Sequence, residues 1–456
     1  MSARGRLVII GGDAAGMSAA AIARRRDPGL EVVAFERGPY TSYSACGIPY
    51  YIGGLFDDPD RLVSRSPDEF REGGIDVHIR TEVTEIDLDA RTVTVRDLET
   101  RSERREGFDQ LVYATGAEAA LPNVPGAQAA TPVRTVGAAE RFRASLELEK
   151  ARHAVVIGAS YLGLEMAEAL VMRGLDVTLV DRSDQVMRTL DPDLAAHVQD
   201  AAEGVGIRVM TATAVQEIHL DAGGRPRSVQ TSDGELPADH VVLSTGVRPA
   251  SELARAAGLA LGETGAVRVD DHQRCPGFDG VFAAGDCAES WHRVLRAPVN
   301  IQLGTHANKQ GRVAGTNATG GDVAFPGVIG TAVSKICRYE VARTGITERE
   351  AATAGIPVIA AEVKDRTRAG YYPGAGPIWV KLVAEPGTGR LLGGQIVGVE
   401  GAAKRIDVLA ACVWSGMSVA ELELVDLAYA PPFSGVYDPL LVAARSTTKA
   451  VARESR

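Results

Sequence analysis

A chain of 456 residues exceeds what one hydrophobic core usually serves, so two or three domains are expected. Its 45% hydrophobic and 24% charged residues are ordinary globular values, and a net charge of -10 argues against nucleic acid as the main partner. No apolar run reaches the roughly 18 residues of a membrane span, and Met1 to Arg6 is too short for a signal peptide. Five cysteines, odd in number and irregular in spacing, make neither a disulfide framework nor a zinc pattern, so no metal and a reducing cytoplasmic setting are expected.

In chain order, the apolar run Leu7-Val8-Ile9-Ile10 enters Gly11-Gly12-Asp13-Ala14-Ala15-Gly16 and an Ala/Arg-rich helix. A second apolar run, Val32-Val33-Ala34-Phe35, then ends at Glu36 and Arg37. Strand, glycine turn, helix and an acid about twenty residues on form the dinucleotide-binding pattern, in which the acid grips ribose hydroxyls. Asp13 stands where the pattern has its middle glycine. A carboxylate there is repelled by pyrophosphate unless it turns away to cap the helix, so its role is open. Arg24-Arg25-Arg26 close the helix, where cations suit the dipole.

Cys46 follows, in Tyr43-Ser44-Ala45-Cys46-Gly47-Ile48-Pro49-Tyr50-Tyr51-Ile52-Gly53-Gly54. A helix starting near it would place the thiol at a positive dipole end, lowering its pKa and populating the thiolate. The run Leu111-Val112-Tyr113-Ala114-Thr115-Gly116 closes the first unit.

The pattern then repeats. Ala154-Val155-Val156-Ile157 enters Gly158-Ala159-Ser160-Tyr161-Leu162-Gly163, a helix bearing Glu165 and Glu168, and Val177-Thr178-Leu179-Val180 before Asp181 and Arg182. Ser160, small and able to donate to phosphate, replaces the middle glycine. This copy is closed by Val241-Val242-Leu243-Ser244-Thr245-Gly246. Gly280-Val281-Phe282-Ala283-Ala284-Gly285-Asp286 comes next. Cys275, Cys287, Cys337 and Cys412 read as core.

The order of nucleotide motif, cysteine segment, Thr-Gly strand, second nucleotide motif, second Thr-Gly strand and Gly285-Asp286 resembles the flavin-dependent pyridine nucleotide–disulfide oxidoreductases over nearly the whole chain. The resemblance implies an α/β fold of two Rossmann-like dinucleotide-binding domains plus a C-terminal α+β dimerisation domain. FAD would lie on Gly11, Gly12, Ala15, Gly16, Glu36, Arg37, Thr115, Gly116, Gly285 and Asp286. NAD(P)H would lie on Gly158, Ser160, Gly163, Asp181, Arg182 and Gly246. The implied domains are a discontinuous FAD domain (1–118 and 247–325), a nicotinamide domain (119–246) and a dimerisation domain (326–456).

Dithiol members carry a second cysteine five positions after the first, and here that position is Tyr51. Their C-terminal acid/base His is also missing, the last His being His306. The chain is therefore similar to the single-cysteine branch: coenzyme A disulfide reductases, NADH oxidases, NADH peroxidases and NADH-dependent persulfide reductases. Peroxidases place a His where this chain has Ala14. The stretches around Tyr371-Tyr372 and Tyr429 resemble those with which coenzyme A disulfide reductases send tyrosines into the partner subunit's site, where a phenol can protonate a leaving thiolate. Arg24 and Arg25 fall where that family contacts CoA phosphates, and Ser42 lies in the adjoining substrate segment, whereas Ala45 replaces the family's usual Asn.

The implied activity passes electrons from NAD(P)H through FAD to Cys46 and on to a small-molecule disulfide or persulfide such as CoA disulfide, in a homodimer with a shared site. Glu165 and Glu168 are candidates for orienting the nicotinamide and are equally well read as surface helix carboxylates. Asp181 favours NADH, since repulsion of a 2′-phosphate is worth roughly 4 kcal/mol at 4 Å and an effective dielectric near 20, although neighbouring Arg182 offsets much of it and leaves NADPH open. The alternatives are an oxidase or peroxidase working through a Cys46 sulfenic acid, a low-turnover NADH-binding redox sensor, and a reductase for an iron–sulfur protein, against which Cys46 itself argues.

Overall fold

The computed structural model describes residues 5–148 and 151–454. Its first unit is a five-stranded parallel sheet in the order Val281–Ala283, Gln110–Tyr113, Arg6–Ile10, Glu31–Phe35, Asp76–His78. Leu7, Val8 and Ile9 are all fully buried, because a parallel sheet is covered on both faces. Leu7 and Ile9 meet the helix side, while Val8 and Ile10 meet the small antiparallel sheet Thr81–Asp87, Thr92–Asp97, Glu103–Gly107. The helices Ala14–Arg26 and Gly304–Ala318 pack backbone to backbone on the first side. A Cβ at Gly311 would lie 2.1 Å from the Ala15 carbonyl oxygen, so only glycine permits that approach.

The second unit repeats this plan. Four parallel strands run in the order Arg208–Met210, Asp176–Val180, His153–Ile157, His240–Leu243. The helices Tyr161–Met172 and Pro192–Glu203 pack through one core, and the antiparallel strands Val215–Leu220, Pro226–Thr231 and Gly234–Pro237 through another. The chain leaves the first unit along Ala117–Ala119 and returns along Val247–Pro249, paired antiparallel to it.

The third unit is a five-stranded antiparallel sheet in the order Ala332–Ile336, Tyr339–Gly345, Leu391–Gly398, Pro377–Ala384, Ile359–Arg366. The helices Ile406–Ser415 and Pro439–Glu454 share its core. Buried Lys381 joins it to the second unit, pairing with Asp191 at 3.5 Å, Asp193 at 2.5 Å and Glu348. Gln395 also donates to Asp191 at 2.6 Å. Burying one charge among several opposite partners is tolerated because each is paired. Among the described residues, no helix is long and apolar enough to cross a membrane.

Candidate active site

Both glycine turns close on themselves without room for a side chain. Gly11 and Gly158 have φ of 109° and 103°, left-handed values that favour glycine. A Cβ at Gly16 would stand 1.9 Å from the Gly11 carbonyl oxygen, and one at Gly163 would stand 1.8 Å from that of Gly158. The two acids repeat the same contacts. Glu36 accepts from the Gly12 N–H at 2.7 Å and the Gly38 N–H at 2.6 Å. Asp181 accepts from the Ala159 N–H at 2.6 Å and the Ser183 N–H at 2.7 Å. Each carboxylate braces its own phosphate loop at the strand end from which it can reach a ribose, and Arg182 beside Asp181 is exposed. Both turns therefore fit a dinucleotide.

Gly285 and Asp286 meet the first turn, since a Cβ at Gly285 would come within 2.9 Å of the Ala15 side chain. Burial raises the Asp286 pKa and Arg134 opposes that rise. Arg134, whose charge also opposes the burial-driven rise of the Tyr43 pKa, is a single cation in a connecting segment that no sequence motif marks. Thr115 and Thr245 serve the fold. Their hydroxyls donate to the carbonyls of Ala250 at 2.7 Å and Ala120 at 2.6 Å, pinning the two crossing segments, while Gly116 and Gly246 take positive φ.

Asp13 occupies the cap position of its helix and makes no side-chain cap bond, which corrects the capping role considered above. Its Oδ1 accepts instead from the Tyr43 N–H at 3.1 Å, and the Ser42 N–H donates to the Gly12 carbonyl at 3.0 Å. The cysteine segment is thus sewn to the phosphate loop. Burial pushes the Asp13 carboxyl up to about 6, with Glu36 and Asp286 adding repulsion against the bond from Tyr43. A protonated Asp13 would not repel a phosphate.

Cys46 lies exposed in the 3₁₀ turn Ala45–Gly47, which runs into the helix Ile48–Gly53; Gly54 ends that helix at φ 85°. The four other cysteines are buried. The expected low thiol pKa is not what the protein groups produce. Although the residue counts as exposed, enough protein surrounds the sulfur for desolvation to raise its pKa, and Glu165, Asp286 and Asp13 raise it further against a bond from its own backbone. Full carboxylate charges outweigh the partial charge of a one-turn helix start.

Glu165 is part-buried, accepts from the Ser334 hydroxyl at 2.5 Å, and has its own pKa raised by burial. It also raises the pKa of Tyr50. Glu168 faces the third unit, accepting from the Cys337 N–H at 2.7 Å and pairing with Lys335 at 3.4 Å. Of the two, Glu165 is therefore the one beside the cysteine.

The basic residues are partly committed elsewhere. Arg24 donates to the carbonyls of Pro28 at 2.6 Å and Leu30 at 3.2 Å, fixing the turn after its helix. Arg25 is exposed, and Arg37 pairs with Glu118 at 3.5 Å. Tyr371, Tyr372 and Tyr429 are 79%, 37% and 49% exposed in the single chain. Their loops are tied by the Ala369 N–H donating to the Pro431 carbonyl at 3.1 Å.

Residues 5–311 match the family model for pyridine nucleotide-disulphide oxidoreductases, and residues 331–440 match that family's dimerisation domain. This chain belongs to the pyridine nucleotide-disulphide oxidoreductases. It is 39% identical over 451 residues to the NAD(P)H coenzyme A polysulfide/persulfide reductase of Pyrococcus horikoshii, covering 96% of this chain and 98% of that one. An NADH oxidase of Methanocaldococcus jannaschii is 36% identical over 450 residues, covering 97% and 99%. The structure of an NAD-dependent persulfide reductase from A. fulgidus superposes with a TM-score of 0.94 at 38% identity, over 99% of this chain and 84% of that one. The family's dimerisation domain corresponds here to the unit that carries the three exposed tyrosines.

Proposed function

We propose that this chain is a flavoprotein reductase that moves electrons from NADH through FAD to Cys46 and on to a small-molecule disulfide or persulfide, with CoA derivatives as the first candidates. The observation that carries this reading is the isolation of Cys46. It is exposed, its four fellow cysteines are buried, and Tyr51 fills the place of a second redox thiol. A lone thiol needs an external thiol to complete a disulfide couple. The names of the relatives, a coenzyme A polysulfide/persulfide reductase among them, support the same class.

In this reading the first glycine turn, Glu36 and Asp286 hold FAD, and the second turn with Asp181 holds NADH in preference to NADPH. FAD supplies the acceptor for the nicotinamide hydride and the two electrons that cleave a Cys46 disulfide. Glu165 orients the nicotinamide beside Cys46. The Cys46 thiolate attacks one sulfur of the substrate, forming a mixed disulfide and expelling one thiolate; two electrons and a proton then release the second thiol and restore Cys46. Tyr429, with one of Tyr371 and Tyr372, enters the partner subunit's site and protonates the leaving sulfur, which makes the homodimer the working unit. Arg25, exposed at the end of its helix, and Ser42, beside the cysteine segment, are the candidates for substrate contact in this reading.

The domain division 1–118 with 247–325, 119–246 and 326–456 is supported by the strand Val281–Ala283 completing the first sheet. A cytoplasmic setting suits an exposed reactive thiol. Anaerobic NADH consumption by the purified yellow protein, assayed with CoA disulfide, CoA persulfide and hydrogen peroxide and then in air with O₂, tests the reading. Turnover with the CoA substrates well above that with O₂ or peroxide is expected; turnover with O₂ or peroxide alone would replace it with an oxidase or peroxidase, against which Ala14 argues.

A further inference from the structure

The helix after Cys46, Ile48–Gly53, has six residues and no side-chain cap at its start. Alone it is too short to persist in water. Its last turn is closed by the Leu55 and Gly54 N–H groups donating to the Tyr50 and Tyr51 carbonyls at 3.0 and 3.2 Å, and two arginines from other elements add bonds to the Tyr51 and Ile52 carbonyls. Arg143, on the helix Val136–Leu148, donates to the carbonyls of Tyr51 at 3.1 Å and Phe56 at 2.9 Å. Its guanidinium also lies 4.6 Å over the Tyr51 ring. Arg173, the C-cap of the helix Tyr161–Met172, donates to the Ile52 carbonyl at 2.6 Å. Glu147 links the two guanidinium groups, at 3.5 Å from Arg143 and 3.8 Å from Arg173. The arginine side chains are only 11% and 24% exposed, so their bonds to the carbonyls are shielded from solvent, whereas Glu147 is 59% exposed.

The helix Tyr161–Met172 starts at the second glycine turn, carries Glu165 beside Cys46, and ends at Arg173. Its 12 residues form one rod about 18 Å long. Gly53 rests on it, since a Cβ there would sit 3.4 Å from Ala169. Both ends of the cysteine helix are therefore referenced to the element that holds the nicotinamide turn.

We propose that Arg143 and Arg173 are positioning residues for the thiol chemistry: by gripping the far end of the cysteine helix they set the aim of Cys46, and so the rate of disulfide exchange rather than of hydride transfer from NADH. The proposal rests on Cys46 being the redox group. An arginine's planar fork spreads its donors over two carbonyls and a carboxylate in a fixed geometry, whereas a lysine directs three donors from a single point.

The test compares the holoenzyme with Arg143→Met, Arg173→Met, the double variant and Arg143→Lys. In the double variant, kcat for disulfide reduction should fall about tenfold or more, as misplacement of a reacting group does, while KM and the rate at which NADH bleaches the flavin stay within about twofold. The pH midpoint for Cys46 alkylation by iodoacetamide, measured after NADH reduction, should move, and Arg143→Lys should recover part of both effects. A double variant with unchanged kcat and an unchanged alkylation profile overturns the proposal. So does an equal loss in flavin bleaching and turnover, which would make the arginines supports of the nicotinamide unit. If the double variant fails to fold, Arg173→Gln gives the same readouts. Cys46→Ser, run alongside, separates the layers: retained disulfide turnover there removes the underlying reading, whereas its loss beside unaffected arginine variants removes this proposal alone.

Discussion

Arg405 donates through Nε to the Asp438 carboxylate at 2.9 Å, and its Nη2 donates to the carbonyls of Thr367 at 2.8 Å and Phe433 at 2.7 Å. One largely buried ion pair thereby fastens the hairpin tip bearing Tyr371 and Tyr372 to the segment bearing Tyr429. Both side chains of the pair are 11% exposed. The two segments that carry the three exposed tyrosines are thus fastened to each other within the unit that matches the dimerisation domain.

This arrangement predicts that Tyr429→Phe, which keeps the ring and removes the hydroxyl, lowers disulfide reduction by roughly the 10²–10⁴-fold of a lost general acid while NADH bleaches the flavin at the normal rate. Arg405→Ala should act through both loops and destabilise the protein by about 3 kcal/mol, since it leaves the buried Asp438 carboxylate without its cation, held only by the Ser434 hydroxyl and the Leu440 N–H. Steady-state turnover and thermal unfolding check the two claims. Normal turnover in Tyr429→Phe would reduce the tyrosines to interface packing.

The two turns predict separable failures. Gly163→Ala forces a methyl to within 1.8 Å of the Gly158 carbonyl oxygen and should abolish flavin reduction by NADH while the purified protein stays yellow. Gly16→Ala meets the same obstacle at 1.9 Å and should yield protein that loses FAD. Absorbance spectra and stopped-flow reduction distinguish them, and the reverse pattern would exchange the occupants of the two turns.

Asp13 gives a pH dependence. Its native pKa of about 6 lies above the ordinary 3.8, so between those values the folded state holds a proton that the unfolded chain has released. Stability therefore falls as pH rises from about 4 to about 6 and stays reduced above, by at most about 3 kcal/mol for a shift of roughly two pH units. Asp13→Asn keeps an acceptor for the Tyr43 N–H without the charge, so its melting temperature should exceed wild type at pH 8 and converge with it near pH 4. An equal difference at both pH values would mean that the carboxyl does not titrate in this window.

The parts of the site legible in the sequence are those where backbone geometry dictates residue type. Gly11, Gly16, Gly158 and Gly163 are required by close approach or left-handed φ, and Glu36 and Asp181 by the equivalent strand ends they occupy in the two units, so spacing alone marks them. The parts that escaped depend on tertiary neighbours. Nothing local indicates that Arg143 and Arg173 bond to helix carbonyls 92 and 121 positions away in the sequence, or that Arg134 stands beside Asp286. The chain neighbours of Cys46 mark it but imply the wrong direction for its pKa: the helix start is visible in sequence, whereas the burial around the sulfur and the carboxylates of Glu165 and Asp286 come from other segments. Arg24 was likewise placed correctly at its helix end, but its side chain turns back onto Pro28 and Leu30.

The central claim is that electrons leave the protein through Cys46, and anaerobic stopped-flow on Cys46→Ser holoenzyme tests it most directly. NADH should bleach the flavin at close to the wild-type rate, and subsequent mixing with CoA disulfide or persulfide should leave it bleached, where wild type regains its yellow colour. Recovery of the colour in Cys46→Ser at the wild-type rate would contradict the account and place the exit for electrons elsewhere.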